Sequence, residues 1–128
     1  MVEDRSTDIS AAADRLERIG EYLHLDAKRA EAESLEAKAS EPGVWDDPAA
    51  AQGVTRRAAE LRDEIESVAQ IRAALEDAEA GNELALMGDD EEMGAEVARE
   101  LVSIVRRIDD LELSSWFTGE FDHGDALV

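Results

Sequence analysis

The chain has 128 residues, no cysteine, and two Trp, two Phe and one Tyr as its only aromatic side chains; 13 Lys and Arg against 33 Asp and Glu leave a formal net charge of −20. This excludes disulfides and thiolate chemistry, and it disfavours DNA or RNA binding by the surface as a whole, because a field of that sign repels phosphate. With so few aromatic residues, one domain's worth of chain is expected to build its core from Leu, Ile, Val and Ala, helix against helix. No apolar run approaches the ~20 residues of a membrane span, and the acidic start Met1-Val2-Glu3-Asp4 is unlike a signal peptide. The chain therefore reads as soluble and intracellular.

Residues 1–8 are polar and expected to fray, with Ser6, Thr7 and Asp8 offering N-cap oxygens. Ile9, Ala12, Ala13, Leu16, Ile19 and Leu23 then follow the three-and-four spacing of one helix face, with Gly20 on that face where a neighbouring helix can approach closely. A second helix, capped near Asp26, reaches about Ala39. Its apolar face of Ala30, Leu35 and Ala39 is thin, so its stability must come from packing. Ser40-Glu41-Pro42-Gly43 ends it, since Pro lacks the amide donor and Gly relaxes the backbone. Asp47 followed by Pro48 is an N-cap and first-turn pair that starts the next helix, and Trp45 is placed to pack back on that first turn.

From Pro48 onward, Val54, Ala58, Leu61, Ile65, Val68 and Leu75 alternate spacings of four and three, broken at Arg72, which is coiled-coil patterning. A helix from Pro48 to Ala80 spans about 50 Å. Gly81-Asn82 weakens it, while Leu84, Leu86 and Met87 can carry it to Gly88, and the pattern leaves this boundary open. Gly88-Asp89-Asp90 is the next turn, with an Asp as cap. A second stripe follows at Met93, Val97, Leu101, Ile104, Ile108 and Leu111. The expected fold is all-α: an elongated bundle of about four helices built on a long antiparallel coiled-coil hairpin. Residues 9–113 form this domain. Residues 114–128 read as a linker in which Ala126-Leu127-Val128 begins a strand of a further domain absent from this chain.

No constellation for catalysis, cofactor or metal binding emerges. Asp89-Asp90-Glu91-Glu92 lacks the alternating ligands and central glycine of a calcium loop and reads as a capping turn. Asp46 and Asp47 have no substrate wall around them. His24 and His123 lack ligand spacing to any partner. Trp45 and Trp116 read first as packing residues rather than exposed anchors. Arg56 with Arg57, and Arg106 with Arg107, read first as solvated helix faces and are the local candidates for RNA contact.

The order of these motifs is itself informative. Leu23-His24-Leu25-Asp26-Ala27-Lys28-Arg29, then Pro42 to Pro48 with its Trp45-Asp46-Asp47-Pro48 core, then Gln52, and finally Gly119-Glu120-Phe121-Asp122 closely resemble the N-terminal domain of the type 2 bacterial peptide chain release factors. The resemblance covers nearly the whole chain, with Trp45, Asp46, Asp47, Pro48, Gly119 and Asp122 as motif positions. It implies an accessory domain of a cytoplasmic factor that terminates translation at UAA and UGA. In that family it is a helical arm that meets the stalk base and factor-binding region of the large ribosomal subunit and is associated with the class II release factor. The family's Gly-Gly-Gln and Ser-Pro-Phe motifs do not occur in these residues, so no catalytic or codon-reading residue carries over and the chain itself is not expected to be an enzyme. A free-standing acidic coiled-coil adaptor, or a self-associating structural protein, is the alternative that the heptads allow; a monomer without DNA or membrane partners is the expectation from the resemblance.

Overall fold

The computed structural model describes the backbone of residues 1–124 and the side chains of residues 1–115. The described chain is all-α: α1 (Ser6–Tyr22), α2 (Leu25–Ala39), α3 (Pro48–Gly88) and α4 (Glu91–Gly124), with a 3-10 turn at Val44–Asp46 and no strand among the described residues. The strand expected at Ala126 to Val128 lies outside them. The chain divides into two compact units, Met1–Leu23 with Gln70 onward, and His24–Ala69.

The first unit combines α1, the C-terminal half of α3, and α4. Ile9, Ala12, Leu16, Ile19 and Leu23 of α1 are buried, as are Ile71, Leu75, Ala78 and Ala85 of α3 and Val97, Leu101, Ile104 and Ile108 of α4. The α1 and α4 stripes are thus those expected from the spacing, with Ala13, Met93 and Leu111 half-buried at their margins. Gly81 of α3 lies so close to α4 that a Cβ there would be 3.0 Å from Val97 Cγ2. Ion pairs tie the outer faces: Arg15 reaches Asp109 (2.8 Å) and Glu112 (3.1 Å) on α4, and Arg72 reaches Glu17 on α1 (3.2 Å). The hydrogen bond to Asp109, foremost, holds the Arg15 guanidinium above its ordinary pKa.

The second unit has a smaller core. Its buried apolar residues are Ala32 of α2 and Ala51, Ala58, Leu61 and Val68 of α3. The face expected for α2 is corrected here: Ala32 is the buried residue, Leu35 and Ala39 are half-buried, and Ala30 is exposed, because an alanine-rich helix with no dominant stripe orients by its ion pairs as much as by its apolar side chains. Those pairs run to α3: Lys28 to Glu64 (2.6 Å), Arg57 to Glu31 (3.2 Å), and a two-pronged contact from Arg62 to Glu36 (2.9 and 2.7 Å). Only Lys28–Glu64 is substantially shielded from solvent. Exposed pairs contribute about 0–1 kcal/mol each, so they align α2 without replacing a core.

α3 continues unbroken to Gly88. Its buried positions are 51, 58, 61 and 68 in one unit and 71, 75, 78, 82 and 85 in the other. The step from Val68 to Ile71 is three where a continuing heptad would take four, so the stripe changes phase at the point where α3 leaves one unit for the other. Such a step is a stammer, which moves the apolar line around the helix. Arg72, read as an interruption, is the residue the phase change places outside, where it pairs with Glu17.

Three further expectations are corrected. Helix α1 begins at Ser6, and residues 1–5 are held by side chains of α3 and the α3–α4 turn instead of fraying. The α1 N-cap is Arg5, without a side-chain cap bond, whereas Asp4 Oδ1 accepts the Ser6 amide (2.9 Å). Helix α4 does not end near Leu113 but runs through Gly124. Nothing in 114–124 forbids helix: no Pro occurs there, and the Ser115 hydroxyl donates to the Glu112 carbonyl within the helix (2.7 Å).

Two glycines of α3 separate intrinsic helix preference from packing. A Cβ at Gly53 would meet nothing within 4 Å, whereas one at Gly81 would press on Val97. Gly53→Ala is expected to stabilise the chain by about 0.5–1 kcal/mol in urea unfolding. Gly81→Ala is expected to forgo that gain or to destabilise.

Candidate functional site

The Trp45-Asp46-Asp47-Pro48 element closes the connection between α2 and α3. Its 3-10 turn forms because the Val44 and Asp46 amides donate to the Glu41 and Gly43 carbonyls (3.2 and 3.1 Å). Asp47, in extended backbone, accepts the Ala50 amide on Oδ1 (3.3 Å), and Pro48 is the first residue of α3, the arrangement its sequence prescribes. Trp45 is 53% exposed, which corrects its reading as a packing residue. Trp116, Gly119 and Asp122 fall on the backbone of α4, and their side chains lie outside the described residues.

The arginine pairs differ from one another. Arg57 is bound to Glu31 and lies near Glu60 (3.9 Å), and the Glu31 hydrogen bond is the main reason its pKa is raised. Arg56, Arg106 and Arg107 are exposed. Arg56 and Arg57 belong to the second unit, Arg106 and Arg107 to the first.

The acidic run at 89–92 does two structural jobs. Asp90 Oδ1 accepts the Met93 amide (3.1 Å) as the cap of α4, and Asp89 takes the left-handed backbone (φ 48°) that reverses the chain. Asp89 Oδ1 also accepts the Val2 amide (3.1 Å), Glu91 Oε1 receives the Met1 amino group (2.7 Å), and the Val2 side chain lies over Gly94. Below this, Asn82 is buried (4% exposed), accepting the Arg5 amide on Oδ1 and donating from Nδ2 to Asp4 Oδ1 (both 3.1 Å). Read from sequence as a weak point in α3, Asn82 is the polar contact that orders the start of α1. The available signal was its place in the stripe, between Ala78 and Ala85 at heptad spacing.

Among the described residues no three His, Asp or Glu side chains are arranged to hold a metal ion, and no described helix is long and apolar enough to cross a membrane. His24 is an exposed left-handed residue (φ 56°) between α1 and α2. The molecule is a helical domain whose distinctive groups lie on surfaces and turns.

The chain belongs to the PCRF domain family, which matches residues 28–128. It is similar to peptide chain release factor 2 of Streptomyces avermitilis, 33% identical over 127 residues, covering 99% of this chain and 34% of that protein. It is likewise similar to peptide chain release factor 2 of Acidothermus cellulolyticus (41% over 114 residues; 89% of this chain, 31% of that one) and of Thermomicrobium roseum (35% over 131 residues; 100% and 34%). The chain thus spans about a third of the length of these curated relatives.

Asn82 and Asp4 make the N-terminal network testable. The Ser6 amide first, and Asn82 second, hold the Asp4 carboxyl below its ordinary pKa. A carboxylate whose pKa is depressed by folding contributes fully above its unfolded pKa and loses that contribution as pH falls through the folded value. Asn82→Ala is expected to destabilise the chain by about 1–3 kcal/mol, the usual effect of unpairing buried polar groups. In an NMR titration it should also move the Asp4 pKa upward, short of its ordinary value because Ser6 still donates.

Proposed function

We propose that the chain is the N-terminal accessory domain of a cytoplasmic peptide chain release factor that terminates translation at UAA and UGA. It acts as a helical arm that contacts the stalk base and factor-binding region of the large ribosomal subunit, with the class II release factor as a further partner. Helices α1 to α4 form its body, and codon reading and peptidyl-tRNA hydrolysis belong to other parts of the factor. The observation that carries this reading is the similarity to release factor 2 over nearly the whole chain but only a third of each relative.

The acidic surface supports the same reading, because a net charge of −20 favours encounter with basic protein surfaces and leaves RNA contact to local cations. Arg56, Arg106 and Arg107, exposed on their helices, are the first such cations, and Arg57 joins them by releasing Glu31. Trp45, Asp46, Asp47 and Pro48 form a shaped turn with an exposed indole suited to a protein or RNA face.

On termination complexes programmed with UGA, the isolated chain is expected to release no peptide; codon-dependent release by the pure chain would overturn the assignment. In a full-length factor carrying this domain, reversing Arg56, Arg57, Arg106 and Arg107 to Glu is expected to weaken ribosome binding by about tenfold and to flatten its salt dependence. Unchanged affinity would remove these residues as contacts.

A further inference from the structure

Helices α1 and α3 leave a groove of about 550 Å³ on the first unit. Its floor is largely apolar, formed by Ala13, Leu16 and Leu75, and carboxylates stand along both walls: Asp14 and Glu17 on α1, Glu76, Glu79 and Glu83 on α3. Among the described residues that line it, Arg72 is the only cation, and Glu17 already holds it at 3.2 Å. The α3 wall advances by steps of three and four from Glu76 to Glu79 and Glu83. The same face continues one turn further to Leu86 and Met87, which are 39% and 85% exposed. An acidic trough thus opens onto two uncovered large apolar side chains.

We propose that this groove docks a lysine- and arginine-rich amphipathic segment of a partner protein. The basic side chains lie between the two carboxylate rows with their aliphatic stems along the Ala13 and Leu75 floor, and an apolar residue of the segment covers Leu86 and Met87. Charge complementarity selects the occupant. A second copy of this chain would bring more acid to the groove, and a nucleic acid would bring phosphate; both are repelled. The aliphatic stems of Lys and Arg suit an apolar floor beneath a charged rim. The inference rests on the ribosomal reading above only for the source of the segment, a basic ribosomal protein, and the binding itself is testable without ribosomes.

The test is fluorescence anisotropy of the whole 128-residue chain with a labelled helical peptide of repeating Lys-Leu-Lys-Lys-Leu-Leu-Lys sequence. Reversing Glu76, Glu79 and Glu83 together to Lys is expected to weaken binding by about tenfold or more, and Met87→Ser by a few-fold. All four residues are exposed, and circular dichroism checks that helicity is retained. Reversing Glu92, Glu96 and Glu100 on α4 to Lys changes the net charge equally and is expected to leave affinity within about twofold. Equal loss in both triple variants would reduce the effect to the overall field and overturn the groove. Displacement by spermidine at matched charge would overturn a protein segment as the occupant. If the peptide binds as expected while ribosome affinity of a full-length factor ignores the α3 triple variant, the groove stands and its ribosomal source falls.

Discussion

The constraint on which the rest depends is that one uninterrupted helix, α3, must supply a wall to two separate cores. A straight helix with a constant heptad presents one line of apolar residues. Here the line passes through Ala58, Leu61 and Val68, then resumes one residue early at Ile71 and continues through Leu75, Ala78 and Ala85. The early step shifts the buried line along α3 while the helix itself continues without a break. Arg72 becomes intelligible in the same terms, because it occupies the place an unshifted stripe would have buried and instead pairs with Glu17.

The two cores are unequal, and charge fills different roles in each. The first interleaves Leu and Ile from three helices, so its ion pairs, such as Arg15 with Asp109 and Glu112, trim an interface that burial already holds. The second rests on alanines with Leu61 and Val68, and α2 is aligned on α3 by Lys28, Arg57 and Arg62 against Glu64, Glu31 and Glu36. Small side chains permit close approach but remove little apolar area from water, at roughly 25 cal/mol per Å². The His24–Ala69 unit therefore has fewer reserves against local opening, and its exposed Trp45 turn is mounted on the weaker of the two supports.

An excess of acid over base is tolerated because most carboxylates remain in water, and those at helix starts are used. Asp47 and Asp90 cap α3 and α4, and Asp89 and Glu91 hold the first residues of the chain. Of the carboxylates bordering the α1–α3 groove, Glu17 pairs with Arg72, and Glu76, Glu79 and Glu83 are exposed along α3.

Much of the fold is legible in the sequence because helices announce themselves locally. The stripes of α1 and α4, the break at Pro42-Gly43, the Asp47-Pro48 start and the Asp90 cap all depend on residues within a turn or two of one another. What could not be read depends on partners distant in sequence. Asn82 is an interruption until Asp4 and Arg5 arrive across the bundle; Gly81 looks like a weakness until Val97 needs its space; and the three-residue step at Val68–Ile71 has meaning only when each part of α3 is buried in its own core. The exposure of Trp45 has the same origin, since burial of a large side chain requires a cavity that no local pattern specifies. By itself the sequence determined where helices start, their type and most of their apolar faces, together with the motif order that marks the family. Only the tertiary structure decided which faces meet, which polar groups are satisfied and which carboxylates are left facing solvent, because burial and pairing are properties of surfaces brought together from distant parts of the chain.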